Sequence, residues 1–134
     1  MKCDKTVWID RMVRLVVYDL DGTLVDSAQT VATILNEMRI ELGMKRCDEA
    51  TLTPWLSLGG EDLIRNALSL ESEVQVAECL KEFRARYFRR PTDPGTIYPG
   101  VRKALESLRG YGAFLAICTN KPRQLAEKVL EETG

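Results

Sequence analysis

Residues 14–27 read RLVVYDLDGTLVDS, a stretch that joins an apolar run to an acidic turn. The run VRLVVY at 13–18 is apolar and rich in β-branched residues, which is typical of a buried strand in a parallel sheet. The DLDGT cluster at 19–23 predicts a turn directly after that strand. Because open α/β sheets bind their ligands beyond the carboxyl ends of the strands, this turn is the first candidate for a functional site.

Two carboxylates dominate the turn. Asp19 and Asp21 are two residues apart, so in an extended chain their side chains face the same way. Paired carboxylates repel unless a cation lies between them or one of them holds a proton. Both solutions suit phosphoryl transfer, in which a hard metal such as magnesium takes oxygen ligands, one carboxylate attacks phosphorus and the other moves the leaving-group proton. Gly22 permits a sharp turn and the Thr23 hydroxyl can brace it. The alternative is a polar turn that only reverses the chain.

The remaining pattern places a second strand late in the chain. The run AFLAIC at 113–118 predicts another buried strand, and helical periodicity fills much of the sequence between the two strands. One short helical piece is expected to be interrupted at Pro54. We therefore predict an α/β fold, in which residues 1–26 and 95–134 form a Rossmann-like parallel sheet core and residues 27–94 form an inserted helical cap.

Composition excludes several classes of protein. The 134 residues are 45% hydrophobic and 29% charged, which is the balance of a soluble globular protein. The net charge of −1 argues against non-specific nucleic-acid binding. No apolar run approaches the roughly 20 residues that a membrane span needs, and the opening MKCDKTVWIDRM lacks the apolar region of a signal peptide. Because histidine is absent, the chain supplies no Ser-His-Asp triad and no histidine base.

The four cysteines point to a reducing compartment. They form no C-x-x-C pair, and their wide spacing fits neither a zinc site nor a disulfide framework. We therefore expect free thiols and a cytoplasmic location. The cysteines are Cys3, Cys47, Cys79 and Cys118.

The stretch at 14–27 resembles the first motif of the haloacid-dehalogenase-like (HAD) hydrolases. The resemblance implies that Asp19 is the nucleophile that becomes an aspartyl-phosphate and that Asp21 is the general acid/base. It also implies that Mg²⁺ is bound by the Asp19 carboxylate and the Asp21 backbone carbonyl. The family's dehalogenases and phosphonate-cleaving members lack the second Asp, so Asp21 favours a phosphatase.

The stretch AFLAICTNKP at 113–122 resembles the second motif of the same family. The resemblance implies that Thr119 hydrogen-bonds the transferring phosphoryl group with support from Asn120, and Lys121 is also assigned to phosphate binding. Thr119 and Asn120 can alternatively cap the last helix, although a capped helix N-terminus is itself an anion site. The TNKP wording is similar to that of the phosphoglycolate phosphatases, which makes 2-phosphoglycolate the expected substrate. A pyrophosphatase or a phosphosugar mutase of the family is the alternative.

The position and length of the helical insertion match the cap of the family, where substrate choice lies. LGGED at 58–62 resembles the cap loop that reaches over the active site, and Arg65 after it is assigned to a substrate carboxylate. The alternative for Arg65 is an exposed helix arginine. A second basic cluster is expected to be a solvated helix end; its members are Arg84, Arg86, Arg89 and Arg90.

Two parts of the family pattern have no counterpart in these 134 residues. They are a lysine after a third strand and acidic metal ligands after a fourth; Lys121 and Lys128 lie in the wrong segment to replace that lysine. We therefore expect a piece of a longer protein and an inactive isolated chain. Its sheet edges should favour self-association, because open edges pair with other chains. The expected partner of the intact protein is a small phosphorylated metabolite, with no nucleic acid and no membrane.

Overall fold

The computed structural model describes residues 14–134, which form two strands and six helices. This confirms the predicted α/β class. The strands are somewhat shorter than the predicted runs; Val13 and the opening stretch tested for a signal peptide lie outside the described residues. No helix within 14–134 is long and apolar enough to cross a membrane. In chain order the elements are β1 (Leu15–Tyr18), α1 (Ala28–Glu41), α2 (Glu49–Leu56), α3 (Gly60–Leu68), α4 (Glu73–Arg89), a 3-10 turn (Pro94–Thr96), α5 (Val101–Gly110), β2 (Phe114–Ile117) and α6 (Arg123–Thr133).

The two strands pair in parallel, as predicted. Leu15 lies opposite Phe114 and Tyr18 lies opposite Ile117, so both strands end at the same edge of the sheet. Tyr18 and Ile117 pack against the hydrophobic core. The opposite face is bare within the described part of the chain, because Leu15, Val17 and Phe114 are 57%, 53% and 75% exposed.

Helices α1 to α4 form a helical segment with a shared apolar interior. Ile34, Leu35, Leu52 and Ile64 are completely buried there. Two hydrogen bonds also join α1 to the chain before α2. The Asn36 side chain donates to the Cys47 carbonyl and accepts from the Cys47 N–H.

The expected interruption at Pro54 is wrong. Helix α2 continues through Pro54 to Leu56, with its first turn capped by the Asp48 side chain, which accepts from Thr51 N at 2.7 Å. Pro54 lies near the carboxyl end of this short helix, so the missing N–H removes a single hydrogen bond close to the terminus and does not break the helix.

Two sets of hydrogen bonds hold the ends of the helical segment to the rest of the fold. Leu24–Asp26 pairs with Thr96–Tyr98: Tyr98 N donates to the Leu24 carbonyl at 3.1 Å, and Asp26 N donates to the Thr96 carbonyl at 2.7 Å. The second connection is Lys128 on α6, which donates to the Arg90 carbonyl, the Thr92 hydroxyl and the Glu132 carboxylate. The hydrogen bonds from Lys128 and Thr92 lower the pKa of Glu132 to about 2.

A tight helix end directs α5 into β2. Gly112 N donates to the Arg109 carbonyl at 2.9 Å, and Ala113 N donates to the Leu108 carbonyl at 3.0 Å. These two bonds are those of a Schellman motif, whose turning residue takes the left-handed conformation. Gly112 has a φ of 81° and is that residue.

This helix end provides a paired stability test. An added Cβ meets no atom within 4 Å at Gly110 or at Gly112, so the backbone alone decides the outcome. Gly112→Ala should lower the free energy of unfolding by about 1 kcal/mol, because an L-residue is disfavoured at positive φ. Gly110→Ala should leave it unchanged or raise it by up to about 1 kcal/mol, because Gly110 is helical. Urea denaturation measures both, and equal effects of the two variants would contradict the assigned helix end.

Candidate active site

The acidic turn is organised around Leu20. This side chain is completely buried, and its carbonyl accepts from the backbone N–H groups of Thr23, Leu24 and Val25 at 3.3, 3.0 and 3.1 Å. Gly22 allows the reversal with a φ of 76°. The buried leucine therefore anchors the loop while the aspartates on either side of it remain at the edge of the sheet.

Asp19 presents one oxygen to solvent. Its Oδ1 accepts from Leu20 N at 2.7 Å, and the residue is exposed. The Oδ2 atom has no hydrogen-bond partner among residues 14–134. Asp19 thus offers a fixed carboxylate with one oxygen available to a ligand.

Asp21 is held by Lys121. The Lys121 Nζ lies 2.9 Å from Oδ1 and 3.2 Å from Oδ2 of Asp21, and the two side chains are 8% and 29% exposed. The same ammonium donates to the Tyr87 hydroxyl at 3.0 Å and lies 4.2 Å from the centre of its ring. Burial raises the pKa of the Tyr87 phenol, and the ammonium opposes part of that rise.

This three-residue cluster was only partly visible in the sequence. The sequence assigns Lys121 to phosphate binding as part of the TNKP stretch, and it does not predict the pairing of Lys121 with the Asp21 carboxylate. Tyr87 lies at an apolar position of the helical pattern in the sequence, and nothing in that local pattern distinguishes it from a core residue. Only the packing of α4 against the loop that precedes α6 brings Tyr87 to the cluster.

Thr119 and Asn120 lie in the loop between β2 and α6. The Thr119 Oγ1 accepts from Lys121 N at 3.1 Å and so shapes the loop that carries the lysine. The alternative that Thr119 or Asn120 caps the last helix is wrong: α6 begins at Arg123, its N-cap position is Pro122, and no side chain caps it.

A cavity of about 370 Å³ lies between the acidic turn and the helical segment. Four of the predicted site residues line it: Asp21, Gly22, Asn120 and Lys121. Asp19, Thr23, Thr119 and Arg65 do not line it. The wall from the helical segment is largely apolar and includes the residues Leu56, Leu58, Leu63, Leu80, Phe83 and Tyr87.

The arginine at this cavity is Arg84, on α4. Arg84 lines the cavity, and one of its terminal nitrogens lies 3.6 Å from the position that a Cβ on Gly60 would occupy. Within residues 14–134 it has no carboxylate partner. Arg65 instead donates to both oxygens of Glu73 at 2.8 Å, outside the cavity. Of these two arginines, Arg84 lines the cavity and Arg65 does not.

Asp19 and Asp21 are the candidate metal-binding residues. Magnesium is commonly held by one or two carboxylates, with waters and substrate phosphate completing its six oxygen ligands. An exposed Asp19 carboxylate fits that donor chemistry. In the described part of the chain, no cluster of three or more acidic, histidine or cysteine side chains can hold a metal ion, so Asp19 and Asp21 by themselves would supply only a partial ligand set.

Comparison with known proteins defines the class. Residues 16–134 match the family described as haloacid dehalogenase-like hydrolase. The chain belongs to this family, as the DLDGT turn and the TNKP stretch predicted.

Individual relatives share one description. A phosphoglycolate phosphatase of Pseudomonas fluorescens strain Pf-5 is 33% identical over 127 residues, which cover 91% of this chain and 47% of the relative. A phosphoglycolate phosphatase of Aliivibrio fischeri is 34% identical over 127 residues, which cover 90% and 56% of the two chains. The crystal structure of a predicted phosphoglycolate phosphatase from Haemophilus somnus 129pt superposes with a TM-score of 0.78 at 26% identity, covering 91% of this chain and 58% of that chain. The chain spans about half the length of the curated relatives it matches.

Proposed function

We propose that the protein is a magnesium-dependent phosphatase that hydrolyses a small phosphorylated acid, with 2-phosphoglycolate as the leading candidate. The observation that carries this proposal is the pair of aspartates that flank the buried Leu20, one exposed and one held at the cavity by Lys121. Membership of the hydrolase family and the names of its relatives support the same activity.

The two aspartates divide the chemistry. Asp19 Oδ2 attacks phosphorus while the bond from phosphorus to the substrate oxygen breaks, and Asp21 gives its proton to that departing oxygen. Water then attacks the aspartyl-phosphate and passes a proton to Asp21, which releases phosphate and restores Asp19. The hydrogen bond from Leu20 N to Asp19 Oδ1 leaves Oδ2 as the attacking atom.

Magnesium would be held by the Asp19 carboxylate and by the backbone carbonyl of Asp21. When bound, it neutralises negative charge on the phosphoryl oxygens and lets an anionic nucleophile approach an anionic substrate. Thr119 and Asn120 are proposed to donate hydrogen bonds to the phosphoryl group from the end of the second strand.

The helical segment is proposed to act as the cap, with residues 27–94 selecting the substrate. On the cap side of the cavity, Arg84 is the charged residue of the lining, beside the hydroxyls of Ser27, Thr53 and Ser57. A guanidinium without a carboxylate partner in residues 14–134 suits a substrate carboxylate. Arg84 therefore takes the recognition role first assigned to Arg65.

The nucleophile is tested with Asp19→Asn in the intact protein. The amide keeps the shape of the side chain but does not attack phosphorus, so kcat for phosphoglycolate should fall by at least about 10,000-fold. The Glu106→Gln variant, on the exposed face of α5, should keep the activity of the wild type. Phosphate release measures the rates, and mass spectrometry of acid-quenched protein detects the phospho-enzyme. Substantial turnover by a non-deamidated Asp19→Asn protein would contradict the assignment.

The arginine assignment is tested by comparing substrates with and without a carboxylate. Arg84→Met should lower kcat/KM for phosphoglycolate by about 10- to 100-fold, the effect of one lost charged hydrogen bond, and should change kcat/KM for ethyl phosphate by less than about 3-fold. Arg65→Met should change neither value by more than about 3-fold, because Arg65 is paired with Glu73 outside the cavity. A selective loss in Arg65→Met instead would restore the first assignment.

The 134-residue chain by itself is proposed to be silent and to associate with a second copy. The exposed Leu15, Val17 and Phe114 favour association through the bare face of the sheet. The family's lysine and distal acidic residues have no counterpart within 1–134.

An assay of a verified 134-residue product tests this proposal, with light scattering on the same sample. Phosphate release should stay far below the roughly 1 per second of an ordinary enzyme, even with excess magnesium. Phe114→Lys should reduce the association without restoring activity. A monodisperse monomer that turns over phosphoglycolate at an ordinary rate would overturn this expectation.

A further inference from the structure

The cluster of Asp21, Lys121 and Tyr87 joins the helical segment to the proposed acid/base. Asp21 belongs to the turn after β1, Lys121 to the loop after β2 and Tyr87 to α4. We propose that Lys121 and Tyr87 are positioning residues that orient the Asp21 carboxyl for proton transfer, so that the cap helps to set the geometry of the chemistry. This inference rests on the proposed phosphatase function.

The Lys121 ammonium uses its hydrogen-bond donors on groups of the protein itself. An ammonium has three N–H donors, and here they serve both oxygens of Asp21 and the hydroxyl of Tyr87. The Lys121 side chain is 8% exposed. A buried cation that loses its carboxylate is strongly disfavoured, so Lys121 stays with Asp21. Its position is that of a support for the acid/base, in contrast with the phosphate-binding role suggested by the sequence.

Contact with both oxygens fixes the plane of the Asp21 carboxyl group. A single contact would leave the carboxyl free to rotate, whereas contacts at 2.9 and 3.2 Å from one ammonium restrain that rotation. The same ammonium stabilises the carboxylate that remains after Asp21 has given up its proton. The restraint therefore affects the step in which Asp21 gives its proton to the departing oxygen. Phosphate binding is carried out by other groups.

Tyr87 ties this restraint to α4. Its side chain is 4% exposed, and its ring lies against Phe83 with the two ring centres 6.3 Å apart. The hydroxyl is thus held by core packing and presents a fixed acceptor to Lys121 at 3.0 Å. If α4 moves away from the core loops, Lys121 loses this acceptor and the orientation of Asp21 is relaxed.

The choice of substrate leaving group distinguishes a positioning role of Lys121 from a phosphate-binding role. Breaking the bond to an alkyl oxygen needs a proton donor in the first step, while a nitrophenolate leaves without one. The ratio kcat/KM reports the steps up to formation of the phospho-enzyme and excludes its later hydrolysis. A defect in Asp21 orientation should therefore lower kcat/KM for phosphoglycolate and spare kcat/KM for p-nitrophenyl phosphate. Loss of a phosphate-binding group should lower both.

The experiment uses the intact protein, since the 134 residues by themselves are proposed to be inactive. Lys121→Met should lower kcat/KM for phosphoglycolate by about 10- to 100-fold and for p-nitrophenyl phosphate by less than about 3-fold. Tyr87→Phe removes only the hydroxyl and keeps the packed ring, so it should give the same selective loss at a smaller size, about 3- to 10-fold. Tyr111→Phe, at the exposed end of α5, is the matched control and should behave as the wild type.

A stability cycle checks the contact without any activity measurement. Tyr87→Phe, Lys121→Met and the double variant are unfolded in urea, and the two single effects should not add, because both remove the same hydrogen bond. Additive effects would overturn the proposed link to α4. Tyr87→Phe also keeps the test open if Lys121→Met fails to fold.

The outcomes distinguish this inference from the function on which it rests. An intact wild-type protein that releases phosphate from neither substrate overturns the phosphatase proposal and this inference with it. An active wild type in which Lys121→Met loses both substrates equally assigns Lys121 to phosphate binding and overturns only the positioning role. A selective loss of kcat/KM for phosphoglycolate in Lys121→Met, together with wild-type activity in Tyr87→Phe, overturns the coupling to the cap.

Discussion

The parallel pairing of β1 with β2 is the constraint on which the candidate site depends. With Tyr18 opposite Ile117, the turns that follow both strands begin at one edge of the sheet. Asp21 and Lys121 are 100 residues apart in the chain, yet Lys121 Nζ lies 2.9 Å from Asp21 Oδ1. Slipping the register would move the lysine away from the carboxylate and reverse which side chains face the core.

The helical segment contributes in a different way, because it closes the cavity over that edge. Two connections fix it there: the backbone pairing of Leu24–Asp26 with Thr96–Tyr98, and the bonds from Lys128 to the chain after α4. The result is a cavity with charged groups on the strand side and a mostly apolar wall with Arg84 on the helical side. Such a division suits a small anionic ligand, since charge recognition is concentrated at a few points while the apolar wall excludes water.

The sheet is the least protected part of the described structure. Two strands give one covered face and one bare face, with Phe114 at 75% exposure. The chain spans about half the length of the curated relatives it matches, and it carries the acidic turn and the threonine of the second motif.

The sequence by itself determined the α/β class, the two strands and the acidic turn, because β-branched runs and the DLDGT cluster are local signals that need no partner. Tertiary structure decided which side chains complete the cavity. Arg65 and Arg84 look alike as helix arginines, and only packing gives Glu73 to Arg65 and the cavity to Arg84. Tyr87 follows the apolar period of α4, so its contact with Lys121 arises from how α4 packs, which no local pattern encodes.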